Sequence, residues 1–141
     1  MLIKQISIFV ENKFGRLAKI VKTLGDNNID ISALSIADTT DFGILRLIVD
    51  KPELAVDVLK ESGVAVKCTD VIAVALDDQP GGLSRVLDVL TNGDITIDYM
   101  YAFVGKKAGK ALMVVKNDDM KKSVDLLKNS HIELFNLNDI Y

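Results

Sequence analysis

Apolar and polar residues alternate from Ile3 to Val10, a period of two that predicts a strand. The period then changes. Leu17, Ile20, Val21 and Leu24 stand at i, i+3, i+4 and i+7, which predicts a helix with one apolar face. Gly25, followed by Asp26, Asn27 and Asn28, is expected to end it. Asp30 to Asp38 and Ile44 to Val49 read as strands joined by a polar turn around Thr39 to Asp41. Pro52 suits the first turn of a second helix, whose expected core stripe is Leu54, Val58 and Leu59. Gly63 closes that helix, and Val64 to Thr69 is a fourth strand.

The pattern then starts again. Val71 to Leu76 predicts a strand, and Leu83, Val86, Leu87 and Leu90 predict a helix stopped by Asn92 and Gly93. Ile95 to Val104 and Lys110 to Val115 are strands around the tip G-K-K-A-G. Asp118 or Asp119 is placed to cap a helix carrying Met120, Val124 and Leu127, and Ile132 to Leu137 ends the pattern. The order βαββαβ, written twice, predicts an α+β fold of two ferredoxin-like units. Each is a four-stranded antiparallel sheet with both helices on one face. The units are expected at 1–69 and 70–141. No glycine, proline or asparagine separates them between Val64 and Leu76, only Thr69-Asp70.

The repetition is residue by residue. A shift of 66 carries Gly15 to Gly81, Leu17 to Leu83, Ile20 to Val86, Leu24 to Leu90, Ile29 to Ile95, Ile31 to Ile97 and Val49 to Val115. After a two-residue insertion the shift is 68, and V-D-V-L-K-E-S (56 to 62) meets V-D-L-L-K-N-S (124 to 130). Each half has a strand–glycine–helix turn, V-E-N-K-F-G-R-L (10 to 17) and L-D-D-Q-P-G-G-L (76 to 83). Glycine there lets the backbone turn sharply and lets another molecule come close. The helix behind it offers free N–H groups and a partial positive charge, so each turn is a candidate anion pocket.

Composition narrows the classes. Of 141 residues, 49% are hydrophobic, so units of this size are expected to bury surface against each other and against a second chain. The strands Ile31 to Ile36 and Ile97 to Val104 are the expected pairing edges, and a symmetric homodimer is the expected assembly. A net charge of −3 gives no draw to nucleic acid or an anionic membrane. The longest apolar runs are too short for a membrane span, and the N-terminus lacks a signal-peptide layout. Cys68 is the single cysteine and is expected to be a buried, inert thiol in a cytoplasmic protein.

With one His and one Cys, the usual donors for zinc are missing, and no nucleophile with a base partner appears. Asp77 and Asp78 are adjacent and point to opposite sides of a strand, so they are no acid–base pair. Gly105 to Lys110 lacks the spacing and the Ser or Thr of a phosphate loop. His131 aligns with Gly63 at a helix end, where a cation or a cap suits the carbonyls. Tyr99, Tyr101 and Phe103 alternate and are expected to share one strand face with Ile97. RNA-binding folds of the same order carry aromatics on strand three; here those strands read I-L-R-L-I-V and K-A-L-M-V-V.

With the motifs placed, the chain resembles two ACT domains in tandem, a family of ligand-sensing modules in amino-acid metabolism. The family's loop reads N-x-P-G-x-L, with an N-I pair opening strand two. Asn12, Gly15, Leu17 and Ile31 match in the first half, with Phe14 and Asp30 as departures. Pro80, Gly81 and Leu83 match in the second, with Asp78 and Thr96 as departures. E-N-K-F-G-R-L-A is also similar to the first ACT domain of acetolactate synthase regulatory subunits.

The resemblance implies amino-acid binding without catalysis and without a cofactor. It places the ligand between one domain's strand–helix loop and strand two of its neighbour. The candidate contacts are Asn12, Lys13, Phe14, Gly15, Arg16 and Leu17 in loop one, and Asp78, Gln79, Pro80, Gly81, Gly82 and Leu83 in loop two. Asp30, Asp98, Tyr99 and Met100 are the candidates on the second strands. Lys13 and Arg16 favour loop one for a carboxylate, since loop two offers Asp77 and Asp78 with Arg85 as its nearest cation. Asp98 would then meet the ammonium, and Tyr99 or Met100 the side chain. The implied function is a stand-alone sensor that regulates a partner enzyme of amino-acid metabolism. The alternative is a structural regulatory subunit that holds a catalytic partner and binds no ligand itself.

Overall fold

A computed structural model describes residues 1–38 and 41–141, so Thr39 and Thr40 of the expected polar turn lie outside the described residues. The chain divides into two compact units. One is Lys4–Thr69, here the N-terminal unit; the other is Asp70–Tyr141 with Met1–Ile3, here the C-terminal unit.

The N-terminal unit holds β1 (Ile3–Glu11) from Lys4 on, α1 (Arg16–Asp26), β2 (Ile31–Asp38), β3 (Phe42–Val49), α2 (Pro52–Glu61) and the start of β4 (Val66–Asp77). β1 and β2 flank β3 in antiparallel ladders, and β4 pairs with the other side of β1. Ile6 lies opposite Leu47 and Ile8 opposite Leu45, which puts these residues on one face with Val10. Ile20 and Leu24 of α1 and Ala55 and Leu59 of α2 close that face into one core.

The C-terminal unit repeats the plan with the rest of β4, α3 (Gly82–Asn92), β5 (Ile97–Lys107), β6 (Lys110–Asn117), α4 (Met120–Asn129), β7 (Leu134–Phe135) and a short α5 (Leu137–Ile140). Its antiparallel ladders run β5–β6–β4–β7. Ile72, Val74 and Val115 form its core with Val86, Leu90 and Leu127 from the helices. The same hydrogen bond recurs in both units. Phe9 N–H donates to the Ala65 carbonyl at 3.2 Å, and Ala75 N–H to that of Glu133 at 2.9 Å.

Several expectations are corrected. β4 runs unbroken through Thr69 and Asp70. The buried stripe of α2 is Pro52, Ala55 and Leu59, and Leu54 is exposed. Leu17 and Val21 also stay partly exposed, because the buried line of α1 is Ile20 and Leu24. β5 and β6 reach Lys107 and Lys110 around the two-residue turn Ala108-Gly109. Both turn residues are left-handed (φ +51° and +74°), as the tightest hairpin turns demand.

That longer hairpin holds the two-residue insertion. Ile31 faces Val49 and Ile97 faces Asn117, so Val49 corresponds to Asn117, not to Val115. The register slips between Ile31 and Ala33 and again between Ile97 and Tyr99, which leaves Ser32 and Asp98 as matching bulges. A bulge reverses side-chain alternation. Ile97 and Met100 therefore both pack on the helix-side core, and Tyr99, Tyr101 and Phe103 do not share a face with Ile97.

Asp119 caps α4 by accepting from the Lys122 N–H at 3.0 Å. Cys68 is exposed, contrary to expectation. It precedes the buried run Val71–Leu76 on a stretch of β4 that also exposes Lys67 and Asp70. α5 was not foreseen; its signal is the capping pair Asn136 and Asp139, whose carboxylate accepts from the Asn136 N–H at 2.8 Å. Among the described residues, no helix is long and apolar enough to cross a membrane.

Candidate functional site

Loop one joins β1 to α1, and loop two joins β4 to α3. The chain makes the same turn at both. Lys13 N–H donates to the Glu11 carbonyl (2.7 Å), and Gln79 N–H to that of Asp77 (2.8 Å). Arg16 and Gly82 then donate back to Lys13 and Gln79 at 3.3 and 3.0 Å. Gly15 (φ +79°) and Gly81 (φ +88°) are the helix caps, both left-handed, and neither helix start receives a side-chain cap. Nothing lies within 4 Å of where a Cβ would stand on either glycine. Glycine is needed there for backbone shape, and the space before it is open.

The charges differ. In loop one the Lys13 ammonium is 2.9 Å from the Glu11 carboxylate and the Arg16 guanidinium 3.9 Å from it. The hydrogen bond from Lys13, then the charges of Lys13 and Arg16, hold the Glu11 carboxyl below the ordinary carboxylate range. Lys13 and Arg16 thus gather on Glu11, while Asp41 adds a second carboxylate to the lining of the space beside the loop, so the charges of loop one balance in number. In loop two, Lys106 from the β5–β6 hairpin pairs with Asp78, and Arg85 stands 4.0 Å from Asp77. Lys106 thus corrects the reading of Arg85 as loop two's nearest cation; the hairpin is long enough to reach the loop. Loop two is balanced and closed upon itself. A Cβ on Gly82 would lie 2.0 Å from the Asp77 carbonyl oxygen.

Loop one opens onto a hollow of about 330 Å³ lined by Glu11, Asn12, Lys13, Asp41 and Phe42. Asn12 N–H donates to the Asp41 carbonyl at 3.2 Å, which ties the loop to the start of β3. Asp41 and Phe42 were not foreseen. Their signal is the antiparallel β1–β3 ladder, which sets Phe42 opposite Glu11. Asn12 and Lys13 line this hollow, Arg16 stands beside Glu11, Phe14 is fully exposed, and Leu17 is partly so. In loop two, Asp78, Gln79, Pro80, Gly81 and Leu83 are exposed, with Gly82 tucked against Asp77.

The second-strand candidates lie elsewhere within their own units. Asp30 exchanges hydrogen bonds with Asp50, its N–H donating to that carboxylate at 2.9 Å and its carbonyl accepting from that N–H at 3.2 Å. Asp50 follows the end of β3, whereas loop one sits at its start. Eight residues at about 3.3 Å each separate the two by roughly 25 Å. Tyr99 and Met100 pair with Lys116 and Val115 near the end of β6, whereas loop two's Asp77 pairs with Lys110 at its start. Asp98 is the exposed bulge residue, and Met100 packs partly into the core. Among the described residues, no group of three or more His, Cys, Asp or Glu is placed to hold a metal ion.

The family described as ACT domain pair matches residues 1–140. Protein BT0572 from Bacteroides thetaiotaomicron is 40% identical, with a TM-score of 0.93 over 100% of this chain and 96% of that one. The ligand-free regulatory subunit of aspartate kinase from Thermus thermophilus is 11% identical, with a TM-score of 0.63 over 90% of this chain and 91% of that one. The corresponding subunit from Thermus flavus is 10% identical, with a TM-score of 0.60 over 91% and 92%. At those identities the two kinase subunits share the fold alone. Curated proteins offer no match.

Proposed function

This chain belongs to the family of ACT domain pairs, and from that membership we propose that it is a non-catalytic, stand-alone sensor of a small amino acid that regulates a partner enzyme of amino-acid metabolism. Residues 1–69 and 70–141 are read as its two ferredoxin-like ACT domains. The observation that carries the reading is loop one. It combines an uncapped helix start, a left-handed glycine with open space before it, and the cations Lys13 and Arg16 beside a hollow of about 330 Å³. These features suit a carboxylate. Asn12, Lys13, Gly15 and Arg16 are the proposed contacts, with the ligand's other side against strand two of a neighbouring domain, as in the family. Regulatory subunits of aspartate kinase share the fold and exemplify the kind of role proposed.

A thermal-shift screen against the common amino acids tests this. Ligand at 100 times its Kd adds about 2.7 kcal/mol, which raises the melting temperature by several degrees. A screen in which no amino acid moves the transition overturns the sensor.

One observation favours the structural alternative: Phe9, Phe14 and Phe42 are all at least half exposed in the N-terminal unit. Co-purification of an enzyme that amino acids neither strengthen nor weaken would support a holding subunit instead. A symmetric homodimer in the cytoplasm is the proposed state of the free protein, and light scattering at micromolar concentration checks the dimer.

A further inference from the structure

A second cavity lies along α1 in the N-terminal unit. Its volume is about 240 Å³, and it runs from Glu11 and Phe42 past Arg16 and Lys19 to Thr23 and the α2–β4 turn, Ser62–Ala65. It shares Glu11 and Phe42 with the loop-one hollow but not Asn12 or Lys13. Arg16, Lys19 and Thr23 stand on one helix face and line it together. Phe9, Ile20 and Val64 supply apolar wall. The space exists because the turn opposite is small: Gly63 is left-handed at φ +82° with nothing within 4 Å of a Cβ position, and Ala65 follows.

The C-terminal unit shows what closes such a space. At the matching place the cavity is about 30 Å³. His131 stands where Gly63 does, Glu133 where Ala65 does, Lys110 where Phe42 does and Arg85 where Lys19 does. The polar newcomers satisfy one another. Lys110 is 3.4 Å from Glu133, and Arg85 donates to the Ser130 carbonyl at 3.3 Å. In the N-terminal unit, the Lys19 ammonium has no carboxylate or carbonyl partner among the described residues. The two units thus place the same frame around a filled site and an open one.

We infer that the α1 cavity of the N-terminal unit is a second ligand site, adjoining loop one at Glu11 and Arg16 but centred on Lys19, that takes a monocarboxylate with a compact apolar body. Lys19 and Arg16 supply the cations for the carboxylate. Glu11 at the rim already draws on Arg16, so the site holds one surplus positive charge and disfavours a dianion such as phosphate. Phe9, Phe42 and Ile20 receive the apolar body. At about 30 Å³ per water-sized group, the cavity holds roughly eight such groups, the size of a phenyl or branched-chain carboxylate.

The test is a ¹⁵N-amide NMR titration of the full chain with phenylacetate. The expected result is shift changes at Phe9, at Arg16–Thr23 and at Ser62–Ala65. Lys19→Glu, on an exposed helix surface, is expected to weaken binding at least tenfold while keeping the chain's response to whichever amino acid the thermal screen selects. Ala65→Glu, which copies the residue of the closed cavity, is expected to do the same. Benzylamine, with the same body and the opposite charge, is expected not to bind. The inference is overturned if millimolar phenylacetate moves no amide in those segments or only Asn12–Gly15. Unchanged affinity in Lys19→Glu, equal binding of benzylamine, or loss of the amino-acid response in Lys19→Glu also overturns it. Because the amino-acid response is read separately, failure of this site is distinguishable from failure of the loop-one sensor.

Discussion

The N-terminal and C-terminal units solve the same packing problem with the same residues and then part company at their loops. Leu24 and Leu90 fill one core slot, and Leu59 and Leu127 another, all essentially without exposure. Three backbone hydrogen bonds recur in the two loop turns, from Lys13 and Gln79, Arg16 and Gly82, and Lys19 and Arg85. Yet loop one keeps an open approach beside Lys13, whereas loop two folds Gly82 onto Asp77 and locks Asp78 to Lys106. Buried positions are held by close packing, which punishes any change of volume. Loop side chains touch mainly solvent, so one copy can open a site while the other closes without cost to the fold.

If the cores are equivalent, matched truncations should hurt alike. Leu24→Ala and Leu90→Ala remove side chains that are 0% and 1% exposed, and each is expected to cost about 2–5 kcal/mol. Urea unfolding of both variants measures it. A cost for one several times that of the other would show that one unit leans on the other for stability, and the comparison would need recasting.

The loops should respond unequally. Gly82→Ala puts a Cβ 2.0 Å from the Asp77 carbonyl oxygen, so backbone must move, at an expected cost of roughly 1–3 kcal/mol. Its counterpart Arg16 already carries a side chain, and Arg16→Ala is expected to stay within about 0.5 kcal/mol. Equal midpoints for the two variants in denaturant would mean that loop two is no tighter than loop one.

Much of this was readable from the chain. Period and repeat located the strands and the first four helices, because burial on one face leaves a fixed spacing in sequence. The turn glycines were readable because few other residues accept φ near +80°. What escaped was set by partners distant in sequence. The bulge at Asp98 depends on how β5 meets β6, and no local pattern marks it. Lys106 reaches Asp78 across 28 positions through the fold of a hairpin. The α1 cavity is a space between elements, legible only once Gly63 and Lys19 are brought together. Leu54 and Leu17 misled because an apolar residue near a stripe need not lie on it.

Ligand binding should separate the loops by access. Gly15→Asn keeps a residue type that tolerates the left-handed backbone and adds a side chain in open space, so the fold should hold. It is expected to weaken the amino acid found in the screen at least tenfold, about 1.4 kcal/mol, by calorimetry. Gly81→Asn is expected to change affinity much less. Equal losses would mean two equivalent sites, and loss only in Gly81→Asn would reverse the assignment and defeat the argument from open access.

The smallest expected effect is the pH response of loop one. The Lys13 hydrogen bond and the charges of Lys13 and Arg16 lower the pKa of Glu11 in the folded chain. A lowered carboxylate pKa contributes stability that is fully present above the unfolded pKa. That contribution is lost as pH falls through the folded one. Because Glu11 is solvated, the contribution is small and screened by salt. The native chain should therefore lose slightly more melting temperature than Glu11→Gln on going from neutral pH to below the carboxylate range, at low ionic strength. The gap should narrow in high salt. Glu11→Gln also removes the carboxylate that Lys13 and Arg16 share, so at neutral pH it should tighten the amino acid's carboxylate at loop one. If Glu11→Gln instead weakens binding, Glu11 is itself a ligand contact, most simply for the ammonium, and the freed cations are not what distinguishes loop one from loop two.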